Sequence, residues 1–187
     1  MEIMKLLNFE KVRDGKYLKN YEITYLNKHG KEKKFEIVSH NELKSVDELG
    51  GQPSGVSIVA ICEGRLLLLH EFRMGVNRAI YNLCAGMIEP GETIEDCIAR
   101  ELWEETGLKV ARIKKILPAS FAAVTISDTT TYIAFVEVEG NFEDHTSDNE
   151  QIVAGFYTQE QVKELLDTEA FSSRAQVVAY FFAEYGL

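Results

Sequence analysis

From Gly86 to Leu108 the chain reads GMIEPGETIEDCIARELWEETGL, and this stretch constrains the fold more than any other. Thr93 is suited to cap a helix, Glu95 and Asp96 bring negative charge to its first turn, and Gly107 is a natural terminator, so a helix is expected over Thr93–Thr106. Ile94, Cys97, Ile98 and Leu102 recur at helical spacing and define the face that packs on a core. At about 100° per residue, Glu101 and Glu105 fall within roughly 40° of each other and beside Ile94 and Ile98. Two carboxylates thus stand where a helix ordinarily carries leucines. Carboxylates drawn partly out of water and close together are unfavourable unless protonated, hydrogen-bonded or bound to a cation. A hard divalent cation with oxygen ligands removes the conflict, so metal binding is the first functional expectation.

At 187 residues the chain accommodates one well-cored domain and a small appendage. Its net charge of -10 argues against a general nucleic-acid binder, which needs a basic face. A nucleotide-like substrate stays open, because a bound metal supplies positive charge locally. Cys62, Cys84 and Cys97 have no metal-ligand spacing and read as buried or half-buried thiols of a reducing compartment. No apolar run approaches the length of a membrane span, and a soluble cytoplasmic protein is expected.

Along the chain, Tyr21–Leu26 and Phe35–Val38 read as a hairpin about Asn27-Lys28-His29-Gly30, too poor in apolar residues for a core of its own. Asn41–Ser54 reads as a connecting loop, which sets an expected boundary between an extension over residues 1–53 and a main domain over 54–187. Val56–Cys62 and Arg65–His70 form a second hairpin about Glu63-Gly64, both strands largely buried. Arg73 follows a buried strand, where a bidentate donor can meet a phosphate or a base. After the central helix, Val110–Leu117, Tyr132–Val138 and Ile152–Tyr157 read as strands, and Pro118–Thr131 as a long, mobile active-site loop. Helices over Gln159–Leu166 and Ser172–Tyr185 close the chain. The expected fold class is a mixed α/β sandwich.

Gly86, five residues, Glu92, seven residues and then Arg100-Glu101-Leu102-Trp103-Glu104-Glu105-Thr106-Gly107-Leu108 resembles the Nudix box, found in hydrolases that cleave nucleoside diphosphates linked to another moiety. Every fixed position of that pattern is filled. The segment before it, with Leu66–Leu69, Glu71-Phe72-Arg73 and Ala85-Gly86, is similar to that of ADP-ribose pyrophosphatases and related nucleotide-sugar hydrolases. The resemblance implies an α/β/α sandwich with a mixed sheet and an N-terminal β-hairpin extension, and a homodimer built through the N-terminal strands. It implies that Glu101, Glu105 and the backbone carbonyl of Ala85 hold magnesium, for which manganese substitutes, with Glu150 of a late loop as a further ligand. Arg100 matches an arginine that orients a glutamate, with Glu104 at i+4 from it, and Glu92 supports the box that Gly86 opens and Gly107 closes. Glu104, Asp148 and Glu150 all stay open as the general base.

The chain departs from that subgroup in two places. Asn82-Leu83-Cys84 stands where Glu-Leu-Pro is common, and Ser127-Asp128 follows Pro118-Ala119-Ser120-Phe121 where a Ser-Pro-Gly run and a glutamate are expected, so that Asp128 takes that glutamate's place in substrate binding with a shorter reach. The implied activity is magnesium-dependent hydrolysis of a nucleoside diphosphate-sugar, with ADP-ribose leading. GDP-mannose, another nucleotide-sugar or a dinucleotide is the alternative substrate, and a non-catalytic nucleotide-binding module the alternative class.

Overall fold

In the computed structural model, residues 4–147 and 151–186 are described. The chain divides into two compact units, Met1–Ser54 with Ala119–Thr131, and Gly55–Pro118 with Tyr132–Leu187.

The first unit carries a three-stranded antiparallel sheet in the order β1 (Lys5–Asp14), β2 (Lys19–Leu26), β3 (Glu32–Ser39). The sequence reading found β2 and β3 and missed β1. The reason lies in its pairing: register shifts between Leu6 and Asn8 and between Lys11 and Arg13 break the alternation by which a strand is recognised. The expectation that this segment lacks a core also needs correction. Tyr21, Ile37 and Leu43 are buried together, with Phe9, Ile23 and Leu49 packed against them. Tyr21 anchors the cluster, its ring stacked on Phe9 and its hydroxyl accepting from the Leu43 amide at 2.8 Å.

The expected mobile loop is also different. Strand β8 (Lys109–Phe121) continues through Pro118, which is tolerated because β8 ends the strand order of its sheet, and β9 (Thr130–Glu139) starts soon after. The residues between are pinned within the first unit: Ala122 N donates to Thr129 O at 2.9 Å, Val38 N to Ile126 O at 2.8 Å, and Ser54 N to Thr130 O at 2.8 Å.

The larger sheet has seven strands: β10 (Ile152–Tyr157), β5 (Arg65–Arg73), β4 (Gly55–Cys62), β9 and β8 in spatial order, with β6 (Arg78–Asn82) on β5 and β7 (Cys84–Met87) on β4. The mixed sheet is the middle layer of an α/β/α sandwich. Strands β4 and β5 pair only beside their turn, at Ile61–Leu66 and Cys62–Arg65. Beyond that they part, and β6–β7 fills the gap, Asn82 opposite Leu69 on one side and Cys84 opposite Ile58 on the other. On one face, Leu67 and Leu69 pack with Cys97, Ile98 and Leu102 of helix α1 (Ile94–Thr106). On the other, Leu66 and Leu68 pack with Val162 of α2 (Gln159–Thr168) and with Ala175, Ala179 and Phe182 of α3 (Ser173–Tyr185). Strict alternation along Leu66–Leu69 thus feeds two cores from one strand.

Candidate active site

Helix α1 begins where Thr93 accepts from the Asp96 amide and ends at Gly107, whose φ of 74° closes the last turn. A side chain there would meet Glu143, since a Cβ at Gly107 would lie 2.5 Å from its amide nitrogen. Cys97, Ile98 and Leu102 are fully buried, and the same face carries Glu101 and Glu105 onto β7.

Glu105 accepts from the Ala85 amide at 3.1 Å. Burial pushes its carboxyl up to about 8, against the Cys84 and Ala85 hydrogen bonds and helped by the charges of Glu101 and Glu71. Glu101 lies over Gly86 so closely that a Cβ there would fall 1.7 Å from its carboxyl carbon. Its carboxyl is also raised, chiefly by burial, while Arg100 opposes the shift. Gly86 is therefore a cradle that any other residue would fill.

Arg100 organises the approach to these acids. Its Nε and Nη2 donate to the two oxygens of Glu92 at 2.7 and 2.9 Å, its Nη1 to Glu101 at 2.8 Å and to Glu104 at 3.0 Å, and its Nη2 also to the Met87 carbonyl at 2.9 Å. The i+4 contact with Glu104 is present, and Glu92 is the bidentate partner. Glu92 also accepts from the Glu89 amide at 2.9 Å, and these bonds, that with Arg100 foremost, hold its carboxyl down to about 2. One guanidinium thus ties the turn before α1 to the helix and to β7.

Beside Glu105 a cavity of about 300 Å³ opens between the end of α1, Phe142–Asp144 and Ile152–Ala154. Trp103 stacks on His145 with ring centroids 3.9 Å apart. Arg73 lies in the same compact unit at the end of β5 and donates to Glu71 at 3.3 Å. Asp128 belongs to the other unit, buried, where it accepts from the Gly50 amide at 3.3 Å. Asp148 and Glu150 lie outside the described residues.

Sequence reasoning passed over Glu71, a carboxylate 5 % exposed on β5. The signal was available in the alternation, since Leu67 and Leu69, two and four residues earlier, face the α1 core.

The residues fit magnesium. Glu101 and Glu105 supply hard oxygen donors, both raised by burial in a setting that a cation would relieve, and the Ala85 carbonyl lies on the strand they meet. Among the described residues no three acidic, histidine or cysteine side chains converge as a complete cage. Magnesium does not need one, because it keeps several waters and takes one or two carboxylates together with substrate phosphates.

A crystal structure described as that of an ADP compounds hydrolase superposes with a TM-score of 0.71 over 97% of this chain and 92% of its own, at 21% identity, and shares the fold. The ADP-sugar pyrophosphatase of Mus musculus is 29% identical over 137 residues, covering 71% of this chain and 60% of that one. The ADP-ribose pyrophosphatase of Bacillus subtilis (strain 168) is 29% identical over 134 residues, 71% of this chain and 65% of that one. The chain thus spans less than two thirds of the length of these curated relatives. A shorter match, to the NAD-capped RNA hydrolase NudC of Chromobacterium violaceum, is 42% identical over 64 residues, 33% of this chain and 23% of that one. The NUDIX domain model matches residues 51–181, which take in α1, the strand beneath it and all but Phe182 and Ala183 of the two cores of the larger sheet. With that match over well more than half its length, the chain belongs to the NUDIX family.

Proposed function

We propose that this protein hydrolyses the pyrophosphate bond of a nucleoside diphosphate-sugar in a magnesium-dependent reaction, with ADP-ribose, giving AMP and ribose 5-phosphate, as the leading substrate. The observation that supports this most is the pair Glu101 and Glu105, two carboxylates carried inward by α1 onto the backbone of Ala85 and Gly86. The named activities of the mouse and Bacillus relatives lend it the substrate class.

Glu101, Glu105 and the Ala85 carbonyl are the proposed metal ligands, with Glu150 as a further donor. When bound, magnesium neutralises the phosphates and acidifies a water. Arg100 keeps Glu101 turned toward β7 and favours its ionised form. Glu104, Asp148 and Glu150 are the candidates to take the water's proton; the Glu104 carboxylate is 45% exposed and already aligned by Arg100. Arg73 and Asp128 are the proposed substrate contacts. We also propose that the chain acts as a homodimer joined through its N-terminal strands.

A panel of ADP-ribose, GDP-mannose, ADP-glucose, NADH and diadenosine polyphosphates, assayed with magnesium and product analysis, tests the assignment. The expected outcome is AMP and ribose 5-phosphate from ADP-ribose, with kcat reduced by orders of magnitude in Glu105→Gln and the fold retained. A wide preference for GDP-mannose would replace the substrate and leave the reaction class standing. Binding without cleavage of any compound would make the protein a nucleotide sensor.

A further inference from the structure

Nothing in the hydrolytic scheme above uses Glu71, although burying a carboxylate is costly unless its oxygens are met. Its two oxygens have different partners. Oε1 accepts from Asn82 Nδ2 at 2.6 Å, and Oε2 accepts from Arg73 Nη1 at 3.3 Å. Asn82 is fixed in turn, its Oδ1 accepting from the Leu83 amide at 3.0 Å and from the Ser172 hydroxyl at 2.6 Å. Ser172 caps α3, and the entry to that helix is tied to β6 by Tyr81 N donating to Ala170 O at 2.7 Å and Ser172 N donating to Tyr81 O at 3.0 Å. One line of hydrogen bonds therefore runs from the first turn of α3, through Asn82 and Glu71, to the guanidinium of Arg73.

An ion pair whose arginine is 58% exposed adds little to stability, and a surface pair would not require a buried acid braced from a helix cap. The arrangement suits orientation instead. A guanidinium is a planar fork of five N–H donors, and with Nη1 engaged by Glu71 the remaining donors are directed as a unit. Leu67, Leu69, Glu71 and Arg73 alternate onto one face of β5, the face on which Leu67 and Leu69 pack against α1. Glu71 is also among the charges that raise the Glu105 carboxyl, so it acts within electrostatic range of the acidic end of that helix.

We propose that Glu71, braced by Asn82 and Ser172, is a positioning residue that holds Arg73 ready for the anionic diphosphate of the substrate. The identity of that anion rests on the function proposed above; the bracing does not depend on turnover.

The test combines calorimetric binding of ADP in the presence of magnesium with kcat and KM for ADP-ribose, in the wild type, Glu71→Gln, Arg73→Ala and the double variant. Each single variant is expected to weaken ADP binding and raise KM by about 10-fold, with kcat within about 2-fold, and the double variant to be no weaker than Arg73→Ala alone. Ser172→Ala, which loosens the brace and leaves Glu71 in place, is expected to weaken ADP binding by about 2-fold, and to have no effect once Arg73 is Ala. It carries the test if Glu71→Gln fails to fold. Additive losses, unchanged binding, or a fall in kcat with KM unmoved would overturn the bracing. ADP binding with the coupling intact but no turnover of ADP-ribose would overturn the proposed substrate alone. Failure of the wild type to bind ADP would overturn both.

Discussion

Glu105 combines a structural liability with its proposed role. Its carboxyl is pushed up to about 8, so between about 4.5 and 8 the folded chain holds a proton that the unfolded chain has lost. Its contribution therefore favours folding at the low end of that window and is lost as pH rises through 8. In chelator, the urea midpoint of the wild type should fall between pH 6 and 9, and that of Glu105→Gln should fall less. Magnesium at pH 8 should raise the wild-type midpoint and raise the variant's less, since the variant keeps the proposed ligands Glu101 and Glu150 but has lost the Glu105 carboxylate. A pH profile identical in the two proteins would contradict this reading. At this scale the sequence was legible where a charge broke an apolar stripe, as at Glu101 and Glu105. At Glu71 the alternation with Leu67 and Leu69 carried the burial, but the partner was not legible, because only the insertion of β6 brings Asn82 against it.

Among elements, α1 and β7 are fitted to each other through an absent side chain. Gly86→Ala would drive a methyl group into the Glu101 carboxyl, and relief requires moving the glutamate or separating the strand from the helix. We expect kcat to fall at least about 100-fold, from displacement of a charge-bearing group, with a stability loss of about 1–3 kcal/mol. Steady-state kinetics and urea denaturation on one preparation check both, and near-native turnover would mean that Glu101 can work from elsewhere. Elements with a regular period were readable: α1, α2, α3, β4, β5, β9 and β10 lie within a few residues of their expected bounds. Those whose geometry is irregular were not. Strand β1 hides its alternation behind two register shifts, and β8 passes through a proline that reads as a stop.

For the whole molecule, the proposed property is assembly through the first sheet. Strand β1 ends its sheet, runs for ten residues and leaves Leu6, Leu7 and Val12 exposed, the kind of edge that pairs with another copy unless it is guarded. Sedimentation should give the mass of a dimer at micromolar concentration, and Leu6→Lys with Val12→Lys should shift it toward monomer. A monomeric wild type would remove the proposed interface. The compact unit that holds the first sheet takes in Met1–Ser54 and also Ala119–Thr131, a segment of small and hydroxyl residues that carries no sequence pattern naming its distant partner. That composition has a consequence during synthesis. Residues 1–54 leave the ribosome well before Val38, Gly50 and Ser54 can meet Ile126, Asp128 and Thr130, so their unit stays incomplete until more than half of the larger one has been translated.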